Sequence, residues 1–337
     1  MTITELERSD GRRSAVDVLG GEPDDATLRR FLHGLPGVDA VGLEQRAAGL
    51  GTRSIKTTSK AWALDKIISL IDLTTLEGAD TAGKVRSLVA KAKTPDAADP
   101  ATPRPAAVCV YGDMVAHAIE ALGALHGDPD DSRISVAAVA TAFPSGRASI
   151  EVKLADTADA VAAGADEIDM VIDRGAFLEG RYGLVFDQIA RVKQACRRED
   201  GSYASLKVIM ETGELNTYDN IKRASWLSIL AGGDFIKTST GKVSPAATLP
   251  TTLLMLQTVR DWHRATGERI GVKPAGGIRS SKDAIKYLVT VAETAGEQWL
   301  QPHLFRFGAS SLLNDVLLQR QKITTGHYSG ADYVTID

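Results

Sequence analysis

Short apolar, β-branched runs alternate with longer amphipathic runs along most of the chain. The short runs are Ile67–Leu73, Ala107–Tyr111, Ile134–Ala140, Glu167–Ile172, Lys207–Glu211, Phe235–Thr238, Ile270–Lys273 and Leu304–Phe307, and each predicts a β-strand. Helical patterns fall between consecutive strands, and another follows the last, over Ser311–Gln321. One of them, Ile150–Ala163, predicts an apolar side made of Ile150, Val152, Leu154, Ala155, Ala158 and Val161. Strand starts recur about every 27–40 residues, the length of one βα unit. Strands alternating with helices imply a parallel sheet, and eight such units imply an α/β fold closed as a (β/α)8 TIM barrel. An open doubly wound sheet is the rival, but no strand is followed by a G-x-G-x-x-G turn with a later acidic partner.

The ends of the chain depart from this rhythm. Residues 1–60 are rich in Gly, Asp, Arg and Ser and carry short helical patterns at Ala26–His33 and Leu43–Ala48, which predict a tail and a helical extension. The barrel is expected over 61–322, and 323–337 reads as a C-terminal tail. At 337 residues the length suggests two domains, but barrels of about 250 residues are single domains.

Composition narrows the function classes. Apolar residues make up 44% and charged residues 24%, with a formal charge of −4, so neither a disordered chain nor a nucleic-acid-wrapping one is expected. No run approaches the roughly eighteen apolar residues of a membrane span. The N-terminus lacks the apolar core of a secretory signal, and two cysteines do not make a disulfide framework, so a cytoplasmic location is expected. The six histidines are scattered without H-x3-H spacing, which argues against a zinc site.

In such a barrel the chemistry sits at the C-terminal ends of the strands. Lys237 lies within an apolar strand pattern, where alternation puts Phe235, Lys237 and Ser239 on one face. A buried ammonium is costly unless paired, and desolvation favours the free amine, a nucleophile. The competing interpretation is a lysine salt-bridged in the core. Lys273 ends the next strand; a second cation would depress the first lysine further, or else pair with a carboxylate such as Asp72 or Glu211. Asp169 lies mid-strand on one face with Glu167, Val171 and Asp173, as a proton relay or as a structural ion-pair partner. Two small-residue loops, Gly276-Gly277 after the seventh strand and Gly308-Ala309-Ser310-Ser311 after the eighth, suit a phosphate, with Lys242 and Arg279 adding charge. Ordinary turn glycines explain the same residues. Cys109 reads as a small core or pocket-lining residue.

These motifs, taken in order, resemble deoxyribose-phosphate aldolase over residues 62–321: IDLTTL at Ile71–Leu76, AVCVY at Ala107–Tyr111, EIDMVI at Glu167–Ile172, ETGEL at Glu211–Leu215, FIKTSTGK at Phe235–Lys242, KPAGGIR at Lys273–Arg279 and FRFGASSL at Phe305–Leu312. The resemblance implies a class I aldolase that cleaves 2-deoxy-D-ribose 5-phosphate reversibly to acetaldehyde and D-glyceraldehyde 3-phosphate, without metal or other cofactor. It implies Lys237 as the Schiff-base lysine, Lys273 as the lysine that tunes it and Asp169 as the proton relay. Lys242, Gly276, Gly277, Arg279, Gly308, Ser310 and Ser311 then fall at the phosphate, and Asp72, Thr74, Leu76 and Cys109 near the small aldehyde. Some members use a C-terminal tyrosine; Tyr328 and Tyr333 lie near the end here, in a tail of different pattern. The partners implied are a phosphosugar and an aldehyde, with no nucleic acid or membrane, and a homodimer is the assembly such barrels often adopt. Two other readings stay open: a different phosphate-binding barrel enzyme, and a non-catalytic phosphosugar-binding protein.

Overall fold

The computed structural model describes residues 15–53, 55, 58–127, 133–327 and 330. Eight parallel strands run in the order of the chain: β1 (Ile71–Thr74), β2 (Ala107–Tyr111), β3 (Ser135–Ala140), β4 (Glu167–Val171), β5 (Ser205–Ile209), β6 (Phe235–Lys237), β7 (Gly271–Lys273) and β8 (Phe307–Ala309). Each pairs with its neighbour in sequence, and β8 pairs with β1. The remaining seam, between β7 and β8, is closed by parallel bridges at Val272–Phe305 and Ala275–Gly308. Across it Val272 N–H donates to Leu304 at 2.9 Å, Arg306 N–H to Val272 at 3.2 Å and Gly308 N–H to Pro274 at 2.9 Å. The sheet is a (β/α)8 barrel with a helical extension before it.

Alternation along each strand separates two environments. Leu73, Val108, Val110, Val136, Ala138, Ile168, Met170, Leu206, Val208, Ile236 and Val272 join the buried apolar layer between sheet and helices. The intervening residues face the lumen, and these include Asp72, Glu167, Asp169, Lys207, Lys237 and Lys273, all buried. The barrel interior is thus charged where its outer surface is aliphatic.

Three strands, β1, β5 and β8, differ from expectation by two residues or more at an end. Ile67 and Ile68 belong to the helix Thr58–Ser69, not to β1: with Ala63 and Leu64 they recur at helical spacing and are fully buried. The fifth strand starts earlier, at Ser205, and stops before Met210 and Glu211; Glu211 turns the chain with φ +53°. Leu304–Arg306 precede β8, because the ladder with β1 begins at Phe307. The helix Ile150–Ala162 is also rotated from its expected face. Val152 is 54% exposed, while Lys153 is buried and donates to Gln188 Oε1 at 2.9 Å. The amphipathic count missed that a lysine amine can pack inside when an amide oxygen receives it.

The extension comprises helices Ala15–Leu19, Asp25–Gly34 and Ala40–Gly51, and the helix Thr58–Ser69 runs across the expected 60/61 boundary into β1. Asp24 and Asp39 cap the second and third, accepting from Thr27 N–H at 2.7 Å and Gly42 N–H at 2.9 Å. Leu28, Leu32 and Leu43 are fully buried, and Phe31 meets Trp226 edge to face. Arg29 donates to the Gly180 carbonyl at 2.6 Å, and Val38 N–H to Asp219 at 2.9 Å, so the extension lies fastened along the outer helices. The last helix, Leu312–Thr325, continues past Gln321. Tyr328 and Tyr333 lie outside the described residues. Among the described residues no helix is long and apolar enough to cross a membrane, and no group of three His, Cys, Asp or Glu is arranged to hold a metal.

Candidate active site

The strand register carries the site. Asp169 stands opposite Lys207, and Lys237 stands opposite Lys273, so adjacent strands present these side chains to the lumen at two heights. Asp169 Oδ2 accepts from Lys237 Nζ at 2.8 Å and from Lys273 Nζ at 2.7 Å. Its other oxygen accepts from Lys207 Nζ at 2.8 Å. Lys207 also pairs with Glu167 and stands 3.9 Å from Asp72. Lys273 pairs with Asp72. Below them Arg306, 5% exposed, forks between Asp72 and Glu167, with 2.7 Å from Nη2 to Glu167 Oε1. Three carboxylates and four cations thus form one buried network.

The electrostatics follow from that count. Burial alone would drive every one of these groups towards its neutral form. At Asp169 burial opposes charge, but Lys207, Lys237 and Lys273 overcome it and hold the carboxyl well below the usual carboxylate range. Asp72 and Glu167 are likewise lowered: desolvation works against both, and Arg306 and Lys207 together outweigh it, joined at Asp72 by Lys273. Lys273 and Lys207 lose to burial but gain more from Asp169 and its companions, so both are raised above the ordinary lysine value. Lys237 moves the other way. Desolvation lowers it, Asp169 only partly offsets this, and the Lys273 ammonium depresses it again. It is the one cation of the four left without a carboxylate of its own.

Space for this packing comes from a missing side chain. Gly308 lies opposite Asp72 across the β1–β8 pair. A β-carbon on it would sit 2.7 Å from Ala275 Cβ and 3.1 Å from Lys273 Cε. Lower in the lumen the Phe235 ring covers Gly271, where a β-carbon would come within 2.3 Å of the ring.

The other expected site residues divide into groups. Leu76 and Cys109 share a small apolar cluster with Ala137 and Val139, edged by Tyr111 and Phe143. Thr74 is the register partner of Cys109 and donates to the Asp72 carbonyl at 2.7 Å. Burial pushes the Cys109 thiol up, which keeps it protonated. Asp72 lies deeper than this cluster, inside the ion network, because Lys273 and Arg306 hold it there. Gly276 and Gly277 turn with φ +78° and +83°. Gly276 N–H donates to the Gly308 carbonyl at 3.3 Å, and a β-carbon on Gly276 would lie 3.1 Å from Gly241 Cα. The loops after β6 and β7 therefore meet each other and the end of β8. Arg279, Ser310 and Ser311 are exposed on that rim, Ser311 preceding the Leu312–Thr325 helix. Lys242 reaches across the mouth to Glu77, 2.8 Å away. Asp173 stays outside the network and caps the helix Arg174–Leu178.

Three members of the network went unread in the sequence: Lys207, Arg306 and the pairing of Glu167. Lys207 sits at a lumen position of an apolar strand, the same signal that marked Lys237. Arg306 is masked by Phe305 and Phe307, and only the barrel seam reveals its direction.

Comparison with known proteins gives the family. The profile described as DeoC/LacD family aldolase matches residues 66–317. The deoxyribose-phosphate aldolase of Homo sapiens is 42% identical over 285 residues, spanning 82% of this chain and 86% of that one. The chain belongs to the DeoC/LacD aldolase family. The Bos taurus deoxyribose-phosphate aldolase is also 42% identical, over 81% of this chain and 85% of its own. Among solved structures, the aldolase QR15 is 27% identical with a TM-score of 0.57, over 76% of this chain and 98% of that one. The tetrameric deoxyribose phosphate aldolase from Aeropyrum pernix, at 22% identity and TM-score 0.57, covers 84% of this chain and 99% of its own and shares the fold. As a member of this aldolase family the chain is a carbon–carbon lyase.

Proposed function

We propose that this aldolase cleaves 2-deoxy-D-ribose 5-phosphate reversibly to acetaldehyde and D-glyceraldehyde 3-phosphate through a Schiff base on Lys237. The observation that carries the reading is Asp169 Oδ2 held between two lysine amines, at 2.8 Å from Lys237 and 2.7 Å from Lys273, one amine lowered and the other raised. A neutral Lys237 supplies the nucleophile, and a charged Lys273 supplies the acid, through one shared carboxylate.

In the cleavage direction Lys237 Nζ attacks C1 of the open-chain sugar to give a carbinolamine. Lys273 protonates the departing hydroxyl, water leaves, and an iminium ion forms. Asp169 relays the proton taken from the C3 hydroxyl, and the C2–C3 bond breaks with its electron pair flowing into the iminium. Glyceraldehyde 3-phosphate departs and an enamine remains. Protonation at C2 and hydrolysis release acetaldehyde and restore the amine. The iminium is the electron sink for the step. The turns at Gly277 and at Ser310 and Ser311 would receive the phosphate, with Lys242 and Arg279 on the rim; Gly276 and Gly308 would border it, their own N–H groups being bonded to the Gly308 and Pro274 carbonyls. Remote phosphate binding then orients C1 over Lys237. Leu76, Cys109 and Thr74 border the two-carbon end.

Borohydride reduction in the presence of acetaldehyde, followed by peptide mass mapping, tests this directly. The expected product is a two-carbon adduct on Lys237, with none in Lys237→Leu, which should fold but lose turnover. An unmodified Lys237, or equal cleavage of sugar phosphates bearing a 2-hydroxyl, would count against the reading.

A further inference from the structure

We propose that Lys207 is a positioning residue for the aldolase reaction: by occupying Glu167 and the Oδ1 atom of Asp169, it leaves Lys237 as the surplus cation of the buried network. This rests on Lys237 being the Schiff-base amine.

The argument begins with who is paired to whom. Arg306 takes one oxygen of Asp72 and Oε1 of Glu167 at 2.7 Å, with a longer contact of 3.4 Å to Glu167 Oε2, which Lys207 shares. Lys273 takes the other oxygen of Asp72 and shares Asp169 Oδ2. Lys207, fully buried, takes Glu167 and Asp169 Oδ1. These three cations already match the three carboxylates. Lys237 meets only Asp169 Oδ2, which Lys273 also occupies. Burial of a net positive charge is unfavourable, and the proton least well held is the one released.

The groups facing Lys207 are known on every side. Asp72 on β1, Glu167 and Asp169 on β4 and Lys273 on β7 act on it directly; Arg306 before β8 reaches it through Asp72 and Glu167, and Lys237 on β6 through Asp169, which also acts on Cys109 of β2. Ala137 and Val139 of β3 bring no titratable group. Removing the Lys207 charge would leave three carboxylates with three cations, and Lys237 would be drawn in as the third.

The consequence appears in pH dependence. In Lys207→Met the acid limb of kcat/KM for 2-deoxyribose 5-phosphate should move upward by about one pH unit or more, since a nearby charge shifts a buried group by that order. The ratio of variant to wild type, in which ionisation of the substrate cancels, should therefore be about tenfold lower at the acid end of the profile than at its alkaline plateau. Lys207→Arg should keep the wild-type limb. The double variant Lys207→Met/Glu167→Gln removes one cation and one anion, restores the surplus, and should return the limb towards wild type. Lys207→Gln, which still donates to the carboxylates, replaces the methionine variant if that chain does not fold.

A flat ratio across the pH range, or a shift shared by Lys207→Arg, would overturn the proposal, because a purely structural role lowers activity at all pH values alike. Borohydride trapping on wild-type Lys237 separates the two claims. If trapping succeeds and the ratio is flat, only the role of Lys207 falls; if trapping fails, the Schiff-base assignment itself falls.

Discussion

Gly308 shows how a single atom's absence shapes the site. It follows Phe307 in β8 and leaves room for the Lys273 stem, 3.1 Å from where a β-carbon would lie. Gly308→Ala should push Lys273 off Asp169 and strain the contact with Ala275. Overpacking of this kind costs about 1–3 kcal/mol. The expected outcome is a folded protein with a lower melting temperature and kcat reduced by about tenfold or more, as a small misplacement at a reacting centre allows. Steady-state kinetics and thermal melts together check it; an unaltered kcat would show that Lys273 needs no such clearance. The sequence offers this residue as a phosphate-loop or turn glycine after the eighth strand; its place inside β8, against Lys273, is not legible there. Lys237, Lys273 and Asp169 were legible because each breaks an apolar strand with a charge, and charges are rarely buried unpaired. What the sequence leaves ambiguous is depth: Asp72 and Thr74 share one strand face, and only the packing of Arg306 separates an ion-network residue from one at the mouth.

At the scale of elements, the segment after β6 is held in two independent ways. Thr238 is anchored by Ala275, whose N–H donates to Thr238 Oγ1 at 2.9 Å, and by Thr212, whose N–H donates to the Thr238 carbonyl at 2.8 Å. Thr240 is anchored instead by Glu211, which accepts from its N–H at 3.3 Å and from its hydroxyl. Burial pushes the Glu211 carboxyl up, with the Thr240 donors opposing, and Arg174 stands 3.7 Å away. Losing Glu211 should therefore loosen Thr240 to Lys242 without displacing Lys237. Glu211→Ala is expected to raise KM for the phosphorylated sugar about tenfold, the effect of a lost hydrogen bond to a charged group, with kcat nearly unchanged. The matching measurement on unphosphorylated 2-deoxyribose should show no such rise; a parallel loss on both sugars would place Glu211 with the amine rather than with the phosphate end. Element order was the most legible property of the chain, since eight repeats of one pattern reinforce each other. The limits of β1 and β5 were not, because Ile67 and Ile68 fit either period and nothing local announces the left-handed turn at Glu211.

For the whole molecule, the buried network ties stability to pH at both ends. Asp72, Glu167 and Asp169 have folded values below their ordinary range. Their contribution is complete above the unfolded carboxylate values near about 4 and is lost as pH falls through the folded ones. Lys207 and Lys273 are raised, so theirs is complete below about 10.4 and is lost as pH rises through the folded values. Lys237, lowered, works the other way: the unfolded chain holds its proton more tightly, so stability should rise with pH between the folded value of Lys237 and about 10.4. The melting temperature should accordingly climb from neutrality towards mild alkali and fall on acidification below about pH 4. Asp169→Asn should flatten part of that acid slope in calorimetric scans; an identical slope in the variant would mean the carboxylate does not titrate with unfolding.

The layer formed by Arg306, Asp72 and Glu167, with Phe235 lying over Gly271, also acts as a floor. The proposed chemistry then lies above that layer, towards the C-terminal ends of the strands. If Lys237 holds the substrate as proposed, the two-carbon piece bound to it would stay seated until the phosphorylated piece nearer the rim has gone.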